Sequence, residues 1–172
     1  MTPSLKDLLN GHLQKDPIVS LLRENSAVFE EAIQLALQSD ERTAWRAAWV
    51  LFHAMEDHDR RLQPHLPVFI SVLQGKRDGH QRELLKIIER LKIKEDQEGE
   101  LFDICMGIWE NPGKSPSARI TAFRTMFGMA KKYPELLQEL HFLLQEHYTE
   151  TLSPGIRHSL QKMLDESGPA AR

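Results

Sequence analysis

Residues 42–51, Arg42-Thr43-Ala44-Trp45-Arg46-Ala47-Ala48-Trp49-Val50-Leu51, continue into Phe52, His53, Ala54 and Met55. Ala44, Ala47, Ala48, Leu51, Phe52 and Met55 recur at steps of three and four, which puts them on one side of a helix because an α-helix turns every 3.6 residues. The same spacing links Leu84, Leu85, Ile88 and Leu91, and again Leu136, Leu140, Leu143 and His147. Leu outnumbers Val by 24 to 5, a balance that favours helix because β-branched side chains lose rotamer freedom there. With no sustained two-residue alternation to suggest strands, the sequence predicts an all-α chain.

Breakers cut this pattern into short helices: Pro64 and Pro67, Gly75 with Asp78-Gly79, Gly99, Asn111-Pro112-Gly113, Pro116, Pro134 and Ser153-Pro154-Gly155. The spans expected to be helical are 4–13, 17–23, 26–38, 41–57, 63–74, 80–91, 96–110, 116–132, 134–148 and 154–166. An arginine opens the apolar run of alternate helices at Arg46, Arg82, Arg119 and Arg157, with separations of 36, 37 and 38 residues. Phe69, Cys105 and Phe142 each lie 23 residues after one of these arginines. A hairpin of that length has too little apolar surface to persist alone, so neighbouring hairpins are expected to stack and share a core.

The opening stretch, followed by Leu62-Gln63-Pro64-His65-Leu66-Pro67-Val68-Phe69-Ile70-Ser71-Val72-Leu73, resembles a HEAT-type (armadillo-type) repeat, with an Arg/Ala-rich first helix and a proline-started second one. It departs from the family pattern in lacking a mid-helix proline in the first helix and an Asp and Arg pair in the second. The resemblance implies a right-handed α-α superhelix of about four HEAT-like helical hairpins, whose second helices line a concave face that binds partners. The expected organisation is a single domain over 1–166, with 1–40 as an N-terminal cap, 41–166 as repeats and 167–172 as a flexible tail.

Composition limits the function. The 172 residues are 41% apolar and 27% charged with a net charge of -3, ordinary for a globular protein and far from the strongly basic balance usual for nucleic-acid binding. Cys105, the single cysteine, excludes an intramolecular disulfide framework and points to a reducing compartment. The charged, proline-bearing start Met1-Thr2-Pro3-Ser4-Leu5-Lys6-Asp7 does not read as a signal peptide, so a cytoplasmic location without membrane insertion is expected.

Catalytic chemistry finds little footing. His53 and Glu56 can share a helix face, but His58, five residues from His53, points elsewhere and completes no zinc-hydrolase spacing. Cys105, among Phe102, Ile104, Met106 and Ile108 and near four acidic residues, reads as a buried hydrophobe rather than a reactive thiolate. No metal, cofactor or catalytic residue is expected. Trp45, Trp49 and Phe52 form one aromatic stripe that either packs in the core or anchors a partner. Trp109, on a helix already given an apolar face by Leu101, Ile104, Cys105 and Ile108, is a candidate for exposure.

Charge follows the helices. Lys114, Arg119, Arg124, Lys131 and Lys132 give +5 between Asn111 and Tyr133 with no acid, while six acids and no base occupy residues 95–110. Such layers either pair with each other or steer a ligand. The reading that follows is a non-catalytic adaptor, monomeric or weakly dimeric. It would bind an apolar protein segment with basic flanks through His65, Val68, Val72, Phe102, Met106, Trp109, Glu139, Phe142 and Glu146. The alternative is a nucleic-acid-binding or alkylpurine-glycosylase-like DNA-repair protein, contacting phosphates through Arg82, Lys86, Arg90, Arg119, Arg124 and Lys132.

Overall fold

A computed structural model describes residues 2–12, 14–38 and 41–167. Among these residues the regular structure is wholly helical: α1 (Leu5–Asn10), α2 (Lys15–Glu24), α3 (Ser26–Ala36), α4 (Glu41–Ala54), α5 (Leu66–Val72), α6 (Asp78–Glu89), α7 (Glu95–Glu110), α8 (Pro116–Ala130), α9 (Pro134–Phe142), α10 (Glu146–Thr149) and α11 (Pro154–Ser167). The 3₁₀ turns Gln63–His65 and Leu73–Gly75 flank α5. Contacts divide the chain into two compact units, 1–97 and 98–172, with the boundary inside α7. Leu13, at the end of the first expected helix, and positions 168–172 of the expected tail lie outside the described residues. Ser167, placed in the tail from sequence, ends α11.

In the first unit α2 packs beside α4 and α4 beside α6, while α3 packs against α4 and α5 against α6. The buried stripe of α4 is Ala44, Ala47, Ala48 and Leu51, and 37 residues on α6 buries Gln81, Leu84, Leu85 and Ile88. In the second unit, 38 residues further, α8 buries Arg119, Ala122, Phe123 and Met126. These three matched sets of four residues set the repeat register. The arginine series does not, because Arg82 falls one position past Gln81 and, itself part-exposed, pairs with its buried neighbour Glu83, 3.1 Å away. The second-helix series slips as well. Phe69 and Cys105 are fully buried, but Phe142 is 64% exposed and Leu140 and Leu143 take the inward positions of its helix.

The equivalence of Gln81 and Arg119 is chemical as well as positional. Each stands in the first turn of its helix, where Gln81 Nε2 donates to Leu73 O at 2.8 Å and Arg119 Nε donates to Trp109 O at 2.9 Å. Both acceptors lie at the C-terminal end of the preceding helix, where carbonyls have no intrahelical partner. Other donors treat helix ends in the same way. Lys76 Nζ reaches Leu37 O and Gln38 O, His80 Nε2 donates to Ala36 O, and Arg46 donates to Leu9 O. Arg90 donates to Phe52 O, Met55 O and Asp57 Oδ1, and Arg23 to His53 O.

These contacts explain where helices stop short of the sequence expectation. α4 ends at Ala54 rather than residue 57 because Arg23 and Arg90 take up its last carbonyls. Beyond it, buried Asp59 accepts the Glu56 and Arg61 backbone N–H groups and the Nε and Nη2 donors of the Arg61 guanidinium. His58, in this same turn, adopts φ 55°, the left-handed conformation that ends the run. The helix expected over 134–148 breaks at Leu143, whose carbonyl accepts Trp109 Nε1 at 3.1 Å, and resumes as α10. Gly79 lets the Trp45 indole approach closely, since a Cβ there would lie 3.2 Å from Trp45 Nε1 and press on the ring.

Arg119, 1% exposed, also reaches Thr151 Oγ1 and Tyr148 O, so its buried charge is surrounded by acceptors. An Arg119→Met substitution should destabilise the protein by about 3 kcal/mol, because three oxygens lose a charged donor. Urea unfolding followed by tryptophan emission measures this, with exposed Arg124→Met expected to leave the midpoint unchanged. Burial lowers the pKa of His80, the hydrogen bond to Ala36 acts to raise it, and Lys76 lowers it further. The unfolded imidazole protonates near 6.5 and the folded one only at lower pH, so His80's contribution is complete above pH 6.5 and is lost as the pH falls. His80→Gln should therefore shrink the stability difference between pH 7 and pH 5 in thermal unfolding.

Candidate interaction faces

The proposed contact residues fall in both units. In the first, His65, Val68 and Val72 share one face of the turn and helix 63–72; Val68 is exposed and the other two are half-buried. His65 Nε2 lies 3.4 Å from Glu30 Oε1, so part of its polar capacity is spent on α3. In the second, Phe102 and Met106 are half-buried on α7, and Glu139 and Phe142 stand exposed on one face of α9. Glu146, also exposed, begins α10 beyond the 143–145 turn.

Trp109 is the correction. It is fully buried, its indole donates to Leu143 O, its ring lies 4.8 Å from that of Phe123, and the Arg119 guanidinium lies 4.9 Å from its centroid. It cannot anchor a partner in this fold. The signal was present in its spacing of four from Cys105 and eight from Leu101, both fully buried on the same stripe.

The six cations assigned to phosphate do not form a free basic surface. Arg119 is buried on carbonyls, which contradicts its assignment to a phosphate contact. Arg82 and Lys86 flank the buried carboxylate of Glu83 at 3.1 Å each, and Arg90 is held by Asp57 and two carbonyls. Lys132 donates to Glu98 Oε1 at 2.9 Å and Tyr133 to Glu98 Oε2 at 2.8 Å. Burial acts to raise the pKa of Glu98, but these two hydrogen bonds and the Lys132 charge outweigh it and hold the carboxyl below its usual value. Arg124 remains exposed. Five of the six cations thus have partners within the chain.

The aromatic stripe of α4 is neither wholly core nor free. Trp45, Trp49 and Phe52 are all half-buried. Lys86 Nζ sits 4.2 Å above the Phe52 ring, and Arg90 lies 5.4 Å from its centroid. Trp45 and Trp49 wall an open pocket of about 470 Å³, closed on other sides by Leu8, Ile18, Lys15 and Arg46. Lys15 Nζ stands 5.8 Å from the Trp49 ring, and the His53 ring meets Trp49 edge-on at 5.7 Å. Burial lowers the pKa of His53, and Lys15 and Lys86 push it further down. The sequence leaves this stripe open between core and anchor, because four-residue aromatic spacing on one helix does not show that, among the described residues, both indoles stay half-buried beside α1.

Among the described residues no three His, Cys, Asp or Glu side chains group as a metal site, and no helix is long and apolar enough to cross a membrane. Set against models of known families, residues 5–167 match a HEAT repeat domain. The chain belongs to the HEAT repeat family. The all-α hairpin construction of both units is that of HEAT repeats, as the Arg/Ala-rich and proline-started helices implied. No curated protein and no solved structure gives a match.

Trp109→Ala should behave as a core lesion of this HEAT repeat protein. Its expected cost is about 3–5 kcal/mol from cavity formation and an orphaned Leu143 carbonyl, read as a lowered midpoint in chemical denaturation. A stable variant with an unshifted midpoint would contradict the burial.

Proposed function

We propose that the protein is a non-catalytic interaction scaffold and that the α9 face of its second unit captures an apolar protein segment with basic flanks. Membership of the HEAT repeat family supports the general role, since repeat surfaces of this kind characteristically hold partners. The observation that carries the finer reading is Phe142, 64% exposed, the most exposed large hydrophobic side chain among the described residues. Covering such a ring returns roughly 2 kcal/mol. Its helix neighbours Glu135, Gln138 and Glu139 are exposed, as is Glu146 beyond the turn, so exposed carboxylates stand three and seven residues before the ring and four after it. Charges of one sign raise the arrival rate of an oppositely charged partner, while the apolar centre supplies residence time.

No specific structural observation favours the nucleic-acid alternative. The test is photocrosslinking in cells, with a benzophenone amino acid at position 138, beside Phe142, and a control at exposed Gln161 on α11. The expected result is a specific product from position 138 whose linked peptide carries apolar residues within a Lys/Arg-rich stretch. Phe142→Ala should remove it. With that partner purified, Glu139→Lys should slow association several-fold at low salt and leave dissociation nearly unchanged. Equal crosslinking from both positions, or insensitivity to Phe142→Ala, would contradict the assignment.

A further inference from the structure

The pocket between α1, α2 and α4 has a composition opposite to that of the α9 face. Its apolar floor and walls are the two indoles with Leu8 and Ile18, and its charged members are the cations Lys15 and Arg46. No carboxylate is among the described residues that line it. Arg46 is fixed in place by its bond to Leu9 O, which occupies one nitrogen of a guanidinium that has five N–H groups to offer. Lys15 pairs with Asp16 at 4.0 Å, and the 90% exposure of that carboxylate leaves the pairing too solvated to neutralise the lysine. The indoles are backed by the fold, because Trp45 sets its Nε1 edge on Gly79 and the His53 ring, outside the pocket lining, meets Trp49 edge-on at 5.7 Å. The wall is therefore formed before any ligand arrives.

From this geometry we infer that the pocket docks a short acidic segment of another protein that presents one large apolar side chain. The charge of the lining selects the acidic flank. Paired tryptophans beside aliphatic walls are the side chains that carry binding energy at protein interfaces. The openness of the site selects the form of the ligand: small molecules are held in pockets that bury most of their surface, whereas an extended chain can leave one edge in water and still seat a side chain. This second site is independent of the α9 reading. It lies in the other compact unit and has the reverse charge preference.

The experiment is a titration of the full chain, followed by tryptophan emission, with two synthetic peptides sharing a central Phe-Leu pair. One carries Asp and Glu flanks and the other Lys flanks. Trp45 and Trp49 report, while Trp109 is buried in the other unit. The acidic peptide should shift the emission saturably, bind at least about tenfold tighter than its basic counterpart, and weaken as salt rises. Lys15→Glu, a surface change, should weaken it about tenfold, Trp49→Ala should abolish it in protein whose circular dichroism is unchanged, and Glu139→Lys should have no effect. Equal affinity for both peptides, binding indifferent to Lys15→Glu and Trp49→Ala, or saturable binding of anilinonaphthalene sulfonate by a protein that ignores the acidic peptide would each overturn the inference. A failure here leaves the crosslinking at α9 untouched, and the reverse holds equally.

Discussion

The last turn of an α-helix leaves four carbonyls without an intrahelical partner, and a chain of many short helices multiplies that debt. Here the missing donors come from tens of residues away: Arg46 serves α1, His80 and Lys76 serve α3, Arg90 serves α4, and Trp109 serves α9. A donor and a buried carbonyl lost to each other cost more than the bond itself yields, so these links fix which helix end meets which helix. The apolar stripes of α4 and α6 supply the bulk of the cohesion by burial, but they are nearly smooth rows of Ala, Leu and Ile that could pack at more than one offset. Polar caps bound to particular carbonyls remove that freedom.

The same arrangement decides what the surface offers. Several cations of the first helices are spent on carbonyls, on Glu83 and Glu98, or on the Phe52 ring. What remains is local. Phe142 stands among uncommitted glutamates in one unit, and two indoles stand beside Lys15 and Arg46 in the other.

Features set by neighbouring residues were legible in the sequence. The helix centres, the proline starts at Pro116, Pro134 and Pro154, the buried Cys105 and the repeat length of about three dozen residues all follow from spacing and turn chemistry. What depends on distant chain was not. Nothing near Leu143 announces that Trp109 will claim its carbonyl, so the α9 break was missed, and Trp109 was assigned to solvent although its own stripe argued for burial. The arginine series misled because a repeated residue type is not a repeated role: Gln81, not Arg82, does at α6 what Arg119 does at α8. The Trp45 and Trp49 pocket depends on how α1 lies across α4, which local periodicity does not encode.

The claim that side chains from one hairpin secure the helix ends of another is tested most directly by native-state amide hydrogen exchange on Arg90→Met. The account predicts faster exchange confined to the end of α4 and the turn after it, where the His58 amide bonds to Arg90 O and the Leu62 and Gln63 amides bond to Asp59 O, while α1 and α3 keep their protection. Unaltered exchange in that turn, or an even loss of protection across the whole first unit, would contradict it.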